Sequence, residues 1–207
     1  MSKIGVIGAG AWGTALAMVA HRAGNEVILW AREPDVVDSI NSRHRNGAFL
    51  PSVELSSAIR ATSNLSESTD VDFVFLAAPA QFMRSVCESA VDFWSTGVPA
   101  IICSKGIEQE SCALMSEVVS EVLPGKPIAV LSGPTFAMEV AENLPTAVTL
   151  ACEDEILAKV LMEILNSRFF RIYRSRDVIG AQIGGAVKNV LAIACGIVEG
   201  RKLGNNS

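Results

Sequence analysis

From residue 3 onward, short and almost wholly apolar runs alternate with longer segments whose apolar positions recur every three to four residues. Runs of the first kind suit strands buried on both faces, and spacing of the second kind suits helices with one apolar stripe. The pattern predicts strands at 3–8, 26–30, 72–77, 99–103, 127–131, 147–151 and 169–173. Helices are predicted at 10–23, ended by Gly24, and at 34–45, opened by Pro34. Further helices are expected at 79–94, 110–123 and 154–165, while 46–63 reads as loop with one short strand. Strands of this kind separated by helices predict an α/β fold: a doubly wound, mostly parallel sheet covered on both faces.

After Ser175 the alternation stops, and residues 177–199 carry one long helical pattern. A long helix with an apolar face requires something to pack against. The expected division is therefore a first domain at 1–175, with 176–207 the first helix of a truncated helical second domain. The competing reading is a terminal helix docked back on the sheet. No stretch is read as reaching the roughly 20 apolar residues that span a bilayer. The apolar N-terminus, broken by glycines, does not read as a signal peptide.

Composition narrows the partners. A formal net charge of -5 speaks against a nucleic-acid-coating surface, while leaving room for a local cationic pocket. The five cysteines, Cys87, Cys103, Cys112, Cys152 and Cys195, are odd in number and show no CxxC pair. That disfavours a disulfide framework or a metal site and predicts reduced thiols in a cytoplasmic protein.

The chemistry begins at 8–13, where GAGAWG fits GxGxxG between a predicted strand and a predicted helix. Gly8 permits the tight turn, Gly10 lets the backbone approach a pyrophosphate, and Gly13 allows close helix–strand packing. The open N–H groups of the first helical turn would face the phosphates. The motif therefore predicts a Rossmann-like domain binding NADP(H) or NAD(H). At the end of the second strand, Arg32 suits a 2′-phosphate or stacks on adenine, whereas Glu33 suits a ribose hydroxyl. Together they lean to NADP(H) with NAD(H) tolerated.

Two lysines stand in positions suited to a site. Lys105 directly follows a strand, at the edge of the sheet that faces the ligand crevice. Gly133 and Thr135 follow the next strand in the same way: Gly133 offers close backbone approach, and Thr135 either caps a helix or binds ligand. Lys188 is the one long side chain on a helical stripe of Ala181, Gly184, Gly185, Ala192 and Cys195. Two glycines inside a helix cost about 1 kcal/mol each relative to alanine, so the small stripe implies a close approach to another object. An amine buried there would have a lowered pKa and be suited to proton transfer; the competing reading is tight packing with Lys188 snorkelling to water.

Taken together, GAGAWGT at 8–14, SKGIE at 104–108, SGPTFA at 132–137, LPTA at 144–147 and GGAVKN at 184–189 resemble the bacterial NAD(P)-dependent glycerol-3-phosphate dehydrogenases. The resemblance implies reversible hydride transfer between NAD(P)H and C2 of dihydroxyacetone phosphate, giving sn-glycerol 3-phosphate for phospholipid synthesis. It implies that Lys188 is the proton donor or acceptor and that Lys105 contacts substrate and cofactor. By the same resemblance Gly133 and Thr135 match substrate-binding positions, and Ala11, Trp12, Arg32 and Ala137 match cofactor-binding positions. The family continues through a helical domain bearing further phosphate contacts, which Asn205-Asn206-Ser207 matches only loosely. A chain of this extent is expected to bind dinucleotide and turn over poorly. The rival readings are another two-domain β-hydroxyacid or ketopantoate-type reductase, and a non-catalytic dinucleotide sensor. The sequence leaves open whether a second copy covers the last helix, as in a homodimer.

Overall fold

The structure, a computed structural model, describes residues 1–204; Asn205-Asn206-Ser207 lies outside the described residues. In chain order the elements are β1 (Lys3–Ile7), α1 (Ala11–Arg22), β2 (Glu26–Trp30), α2 (Pro34–Arg43), β3 (Arg60–Thr62), α3 (Leu65–Thr69) and β4 (Phe73–Leu76). They continue as α4 (Met83–Ala90), β5 (Ala100–Ile102), α5 (Met115–Val122), β6 (Ile128–Ser132), α6 (Ala137–Ala141), β7 (Thr146–Ala151), α7 (Glu155–Leu165), β8 (Phe170–Ser175) and α8 (Val178–Gly200).

The strands form one eight-stranded sheet in the order β3-β2-β1-β4-β5-β6-β7-β8. Every neighbouring pair is parallel except β6 and β7. The expected doubly wound, mostly parallel sheet is thus observed. Side chains alternate between its faces as the strand pleat demands. Ile4, Val6 and Phe75 enter the core beneath α1 and α2, while Ile7, Val74 and Leu76 enter the core beneath α4 and α5. Each such fully buried side chain contributes about 1.5–3 kcal/mol from removal of apolar surface from water. Between β1 and β4 the strand order reverses, and the chain ends leaving those strands form a crevice there.

Four local differences from the sequence pattern have physical causes. The 79–94 segment is α4 flanked by two 3₁₀ turns, Ala80–Phe82 and Val91–Phe93. The helix expected from residue 110 starts at Met115, because 107–114 is closed into a loop by the Ile107–Leu114 bridge and by Cys112 at φ 57°. Two short helices, α3 and α6, have too few residues for a periodic signal.

The fourth difference concerns α8, which is 23 residues long with a mean hydropathy of 1.5 in its most apolar stretch. By length and composition it could cross a bilayer, which corrects the sequence reading that no stretch approaches that size. Isoleucine, valine, leucine and alanine keep the average high despite Lys188. Its N-terminal half packs on β6 and β7, where Asp177 caps it by accepting from the Gly180 N–H at 2.7 Å. Gln182, the buried residue of α8, accepts from the Ser116 N–H at 2.9 Å and donates to the Ser116 hydroxyl at 2.8 Å. Beyond that clamp Val190, Leu191, Ile193 and Ile197 are exposed.

Candidate active site

The glycine loop joins β1 to α1 at the crevice. Gly8 has φ +113°, and a Cβ there would lie 2.7 Å from the Ala78 nitrogen. A Cβ on Gly13 would lie 1.8 Å from the Gly8 carbonyl oxygen, so α1 is seated directly on the turn. Gly10 has nothing within 4 Å of the equivalent position, and no side chain caps the N-terminus of α1. The loop therefore presents open backbone and the positive end of a helix dipole, which fits a pyrophosphate. Ala11 and Trp12 are half-buried in the first turn, where both pack on the core.

Gly8 and Gly10 line a cavity of about 430 Å³ whose far wall includes Trp30, Arg32, Glu33, Phe49, Leu65 and Phe82. This apolar pocket with a polar rim has the character of a nucleoside site. Arg32 and Glu33, read from sequence as competing signals, are paired with each other at 2.9 Å. The Arg32 guanidinium also lies 6.0 Å from the Phe82 ring centroid. The two charges thus form one ion pair lining this cavity rather than standing independently.

The second half of the crevice is built around the lysines. Trp12 donates its indole N–H to the Cys103 carbonyl at 3.1 Å, tying α1 to the end of β5. The Lys105 ammonium lies 5.8 Å from the Trp12 ring centroid and donates to the Gly133 carbonyl at 2.7 Å. Desolvation lowers the Lys105 pKa, and the nearby Lys188 charge lowers it further. Lys188 is half-buried, with its ammonium 5.0 Å from the Phe136 ring centroid. Gly133, Gly184, Gly185 and Lys188 line a second cavity of about 310 Å³ together with Ser132 and Thr149.

The small stripe on α8 has two different halves. A Cβ on Gly185 would meet the Ser132 hydroxyl at 2.9 Å and the Lys105 side chain at 3.4 Å, whereas Gly184 faces open space. Thr135 does not cap a helix: the N-cap of α6 is Phe136, without a side-chain cap bond. The Thr135 hydroxyl is instead buried without a hydrogen-bond partner among the described residues. Such groups are rare in folded proteins and point to a missing partner. Ala137 is the first residue of α6, packed against the core, and lines neither cavity.

Further residues support the Lys105 loop. The Ser104 hydroxyl donates to the Leu76 and Ala78 carbonyls, pinning the loop to the end of β4. Arg84 holds Glu108 through two bonds of 3.0 and 2.8 Å and also pairs with Glu121 at 2.8 Å. That guanidinium, with the Ser111 hydroxyl, keeps the Glu108 carboxyl below its ordinary pKa. Glu108 was visible within SKGIE, but Arg84 lies 24 residues away with no local spacing to connect the two. Phe82 was likewise missed, since an isolated aromatic has no sequence signature, and Phe136, though inside SGPTFA, was given no role of its own.

Sequence comparison agrees with this geometry. The family profile described as the N-terminus of NAD-dependent glycerol-3-phosphate dehydrogenase matches residues 3–158, and the profile for its C-terminus matches 177–207. A glycerol-3-phosphate dehydrogenase (NAD(P)+) of Paramagnetospirillum magneticum is 60% identical over 207 residues, covering 100% of this chain and 75% of the relative. One from Caulobacter vibrioides is 56% identical over 205 residues, covering 99% of this chain and 62% of the relative. The crystal structure of glycerol-3-phosphate dehydrogenase from Coxiella burnetii superposes with a TM-score of 0.91 at 39% identity, covering 99% of this chain and 63% of that one. The chain thus spans roughly 60–75% of the length of such relatives. By profile and by identity alike, it belongs to the NAD-dependent glycerol-3-phosphate dehydrogenase family.

Proposed function

We propose that this chain carries the dinucleotide site and the proton-transfer lysine of an NAD(P)-dependent glycerol-3-phosphate dehydrogenase, interconverting dihydroxyacetone phosphate and sn-glycerol 3-phosphate for phospholipid synthesis in the cytoplasm. The observation that carries this reading is the convergence of Lys105 and Lys188 beside Gly133, at the edge of the sheet that also holds the glycine loop.

NADP(H) or NAD(H) would sit with its pyrophosphate over Gly8, Gly10, Ala11, Trp12 and Gly13 and its adenosine end toward Arg32. When bound, the cofactor supplies the hydride added to C2. The Lys188 ammonium polarises the carbonyl oxygen and releases its proton to it, and in the reverse direction the amine takes the proton back. Lys105 holds the anionic oxygens of the substrate and the nearby cofactor. Thr135 donates its hydroxyl, Gly133 brings backbone close, and Ala137 holds the start of α6 against the cofactor side.

The exposed apolar side of α8 supports a domain boundary near residue 176, with α8 opening a helical substrate domain. More of that domain, or a second copy in a homodimer, would cover Leu191, Ile193 and Ile197. The chain is expected to bind dinucleotide on its glycine loop. A steady-state assay with dihydroxyacetone phosphate and NADPH or NADH tests the reading. Lys188→Met is expected to lower the rate by about 10²–10⁴ while leaving dinucleotide affinity within about threefold. An unchanged rate in Lys188→Met would remove the proposed mechanism.

A further inference from the structure

We infer that Asn46 is a positioning residue for dinucleotide binding, setting the orientation of the glycine loop and of the aromatic wall of the nucleoside pocket through a single side chain. The inference rests on the dinucleotide reading above. Asn46 is fully buried, with 0% exposure, in a segment that the hydrophobic pattern leaves as loop.

Its amide nitrogen donates to the Ala9 carbonyl at 2.8 Å and to the Thr14 hydroxyl at 2.8 Å. Its amide oxygen accepts from the Phe49 N–H at 3.2 Å. The partners fix which way round the amide lies, because a carbonyl can only accept and an N–H can only donate. The backbone carbonyl of Asn46 also accepts from the Leu50 N–H at 2.9 Å, closing the turn that carries Phe49.

The consequence follows from peptide geometry. Ala9 is the middle residue of the GxG turn, and the peptide between Ala9 and Gly10 is trans. In a trans peptide the C=O and the N–H point in opposite directions. Pinning the Ala9 carbonyl toward the interior therefore turns the Gly10 N–H away from it, and Gly10 lines the cavity. Without the Asn46 bond the Ala9 carbonyl keeps only a long bond of 3.5 Å from the Thr14 hydroxyl, so this peptide is held less firmly, and an oxygen turned toward a pyrophosphate would repel it. The Phe49 side chain, which is 45% exposed, lines the same cavity from the opposite side. Asn46 thus joins the phosphate-facing and base-facing parts of one pocket without touching the ligand.

Titration of the chain with NADPH and with NADH, followed by nucleotide fluorescence, tests this. Asn46→Ala is expected to weaken binding by at least about tenfold in protein shown folded by near-ultraviolet circular dichroism. The control is Asn41→Ala: Asn41 also makes two bonds to one backbone, accepting from the Ala61 N–H at 2.8 Å and donating to its carbonyl at 2.9 Å, away from the glycine loop. It should lower the unfolding midpoint yet keep affinity within twofold. Should Asn46→Ala not fold, Thr14→Val removes one of the two acceptors with little change in shape and is expected to weaken binding about threefold. The Gly10 amide resonance of the free protein should move in Asn46→Ala or Thr14→Val and stay in Asn41→Ala. Affinity within twofold of wild type in folded Asn46→Ala, or in Thr14→Val where that is the variant measured, overturns the inference, as does an equal loss in Asn41→Ala. Wild-type chain that binds neither dinucleotide overturns the underlying reading itself.

Discussion

Lys105 and Lys188 illustrate how two like charges can be held together and why that arrangement has a measurable signature. The Lys105 ammonium is partly desolvated against Trp12 and faces a second ammonium, and both effects disfavour its charged form. Its folded-state pKa lies below the ordinary lysine value, so between the two values the unfolded chain binds more protons than the folded one. Stability contributed at this site therefore rises as pH increases through that window. Lys188→Met removes the charge but leaves the desolvation, so the Lys105 pKa should move part of the way back up. Carbon-13 NMR of reductively methylated lysines reads this directly; an unmoved Lys105 would mean that the two amines do not share one pocket. Opposite charge on a bound phosphate offsets the same repulsion, so an anionic ligand should raise the Lys105 pKa as well.

At the scale of elements, α8 is where sequence and structure inform one another most. Its glycine pair stood out in sequence because glycine is a poor helix former. The pair predicted one close approach, and the structure divides it: Gly185 is pressed on Ser132 and Lys105, while Gly184 faces open space. Gly184→Ala is expected to stabilise the chain by up to about 1 kcal/mol through helix propensity alone. Gly185→Ala should give less gain, because the Ser132 hydroxyl must turn away from the new methyl. Denaturant unfolding of the two variants compares them; equal gains would show that the Gly185 contact does not matter. The parallel strands and α1, α2 and α7 were legible because each is long or apolar enough to carry a period of its own. Residues 65–69 and 137–141 were illegible as elements, since a five-residue helix holds too little periodicity. The buried Asn46 amide and the Arg84–Glu108 pair were illegible for a different reason: their partners are distant in sequence.

For the whole molecule, the sheet places the glycine loop, the Lys105 loop and the 132–137 turn at one edge, and α8 lays Lys188 across them. Motif order along the chain foretold that these loops would lie together, because in an open α/β sheet the loops at the carboxyl ends of parallel strands gather at one crevice. What it did not foretell was the pairing of Arg32 with Glu33 or the unpartnered Thr135 hydroxyl, which depend on side-chain orientation. The exposed apolar run on the distal half of α8 is equally a property of the assembled chain.

The central claim is that a dinucleotide seated on the glycine loop reaches the two lysines. Methyl resonances of dimethylated Lys105 and Lys188, followed by carbon-13 NMR during titration with NADPH, test it most directly. Saturable shifts of both, with one dissociation constant shared by the amide of Gly10, are the predicted result. Binding that moves Gly10 while both lysine signals stay fixed, or no binding at all, would contradict it.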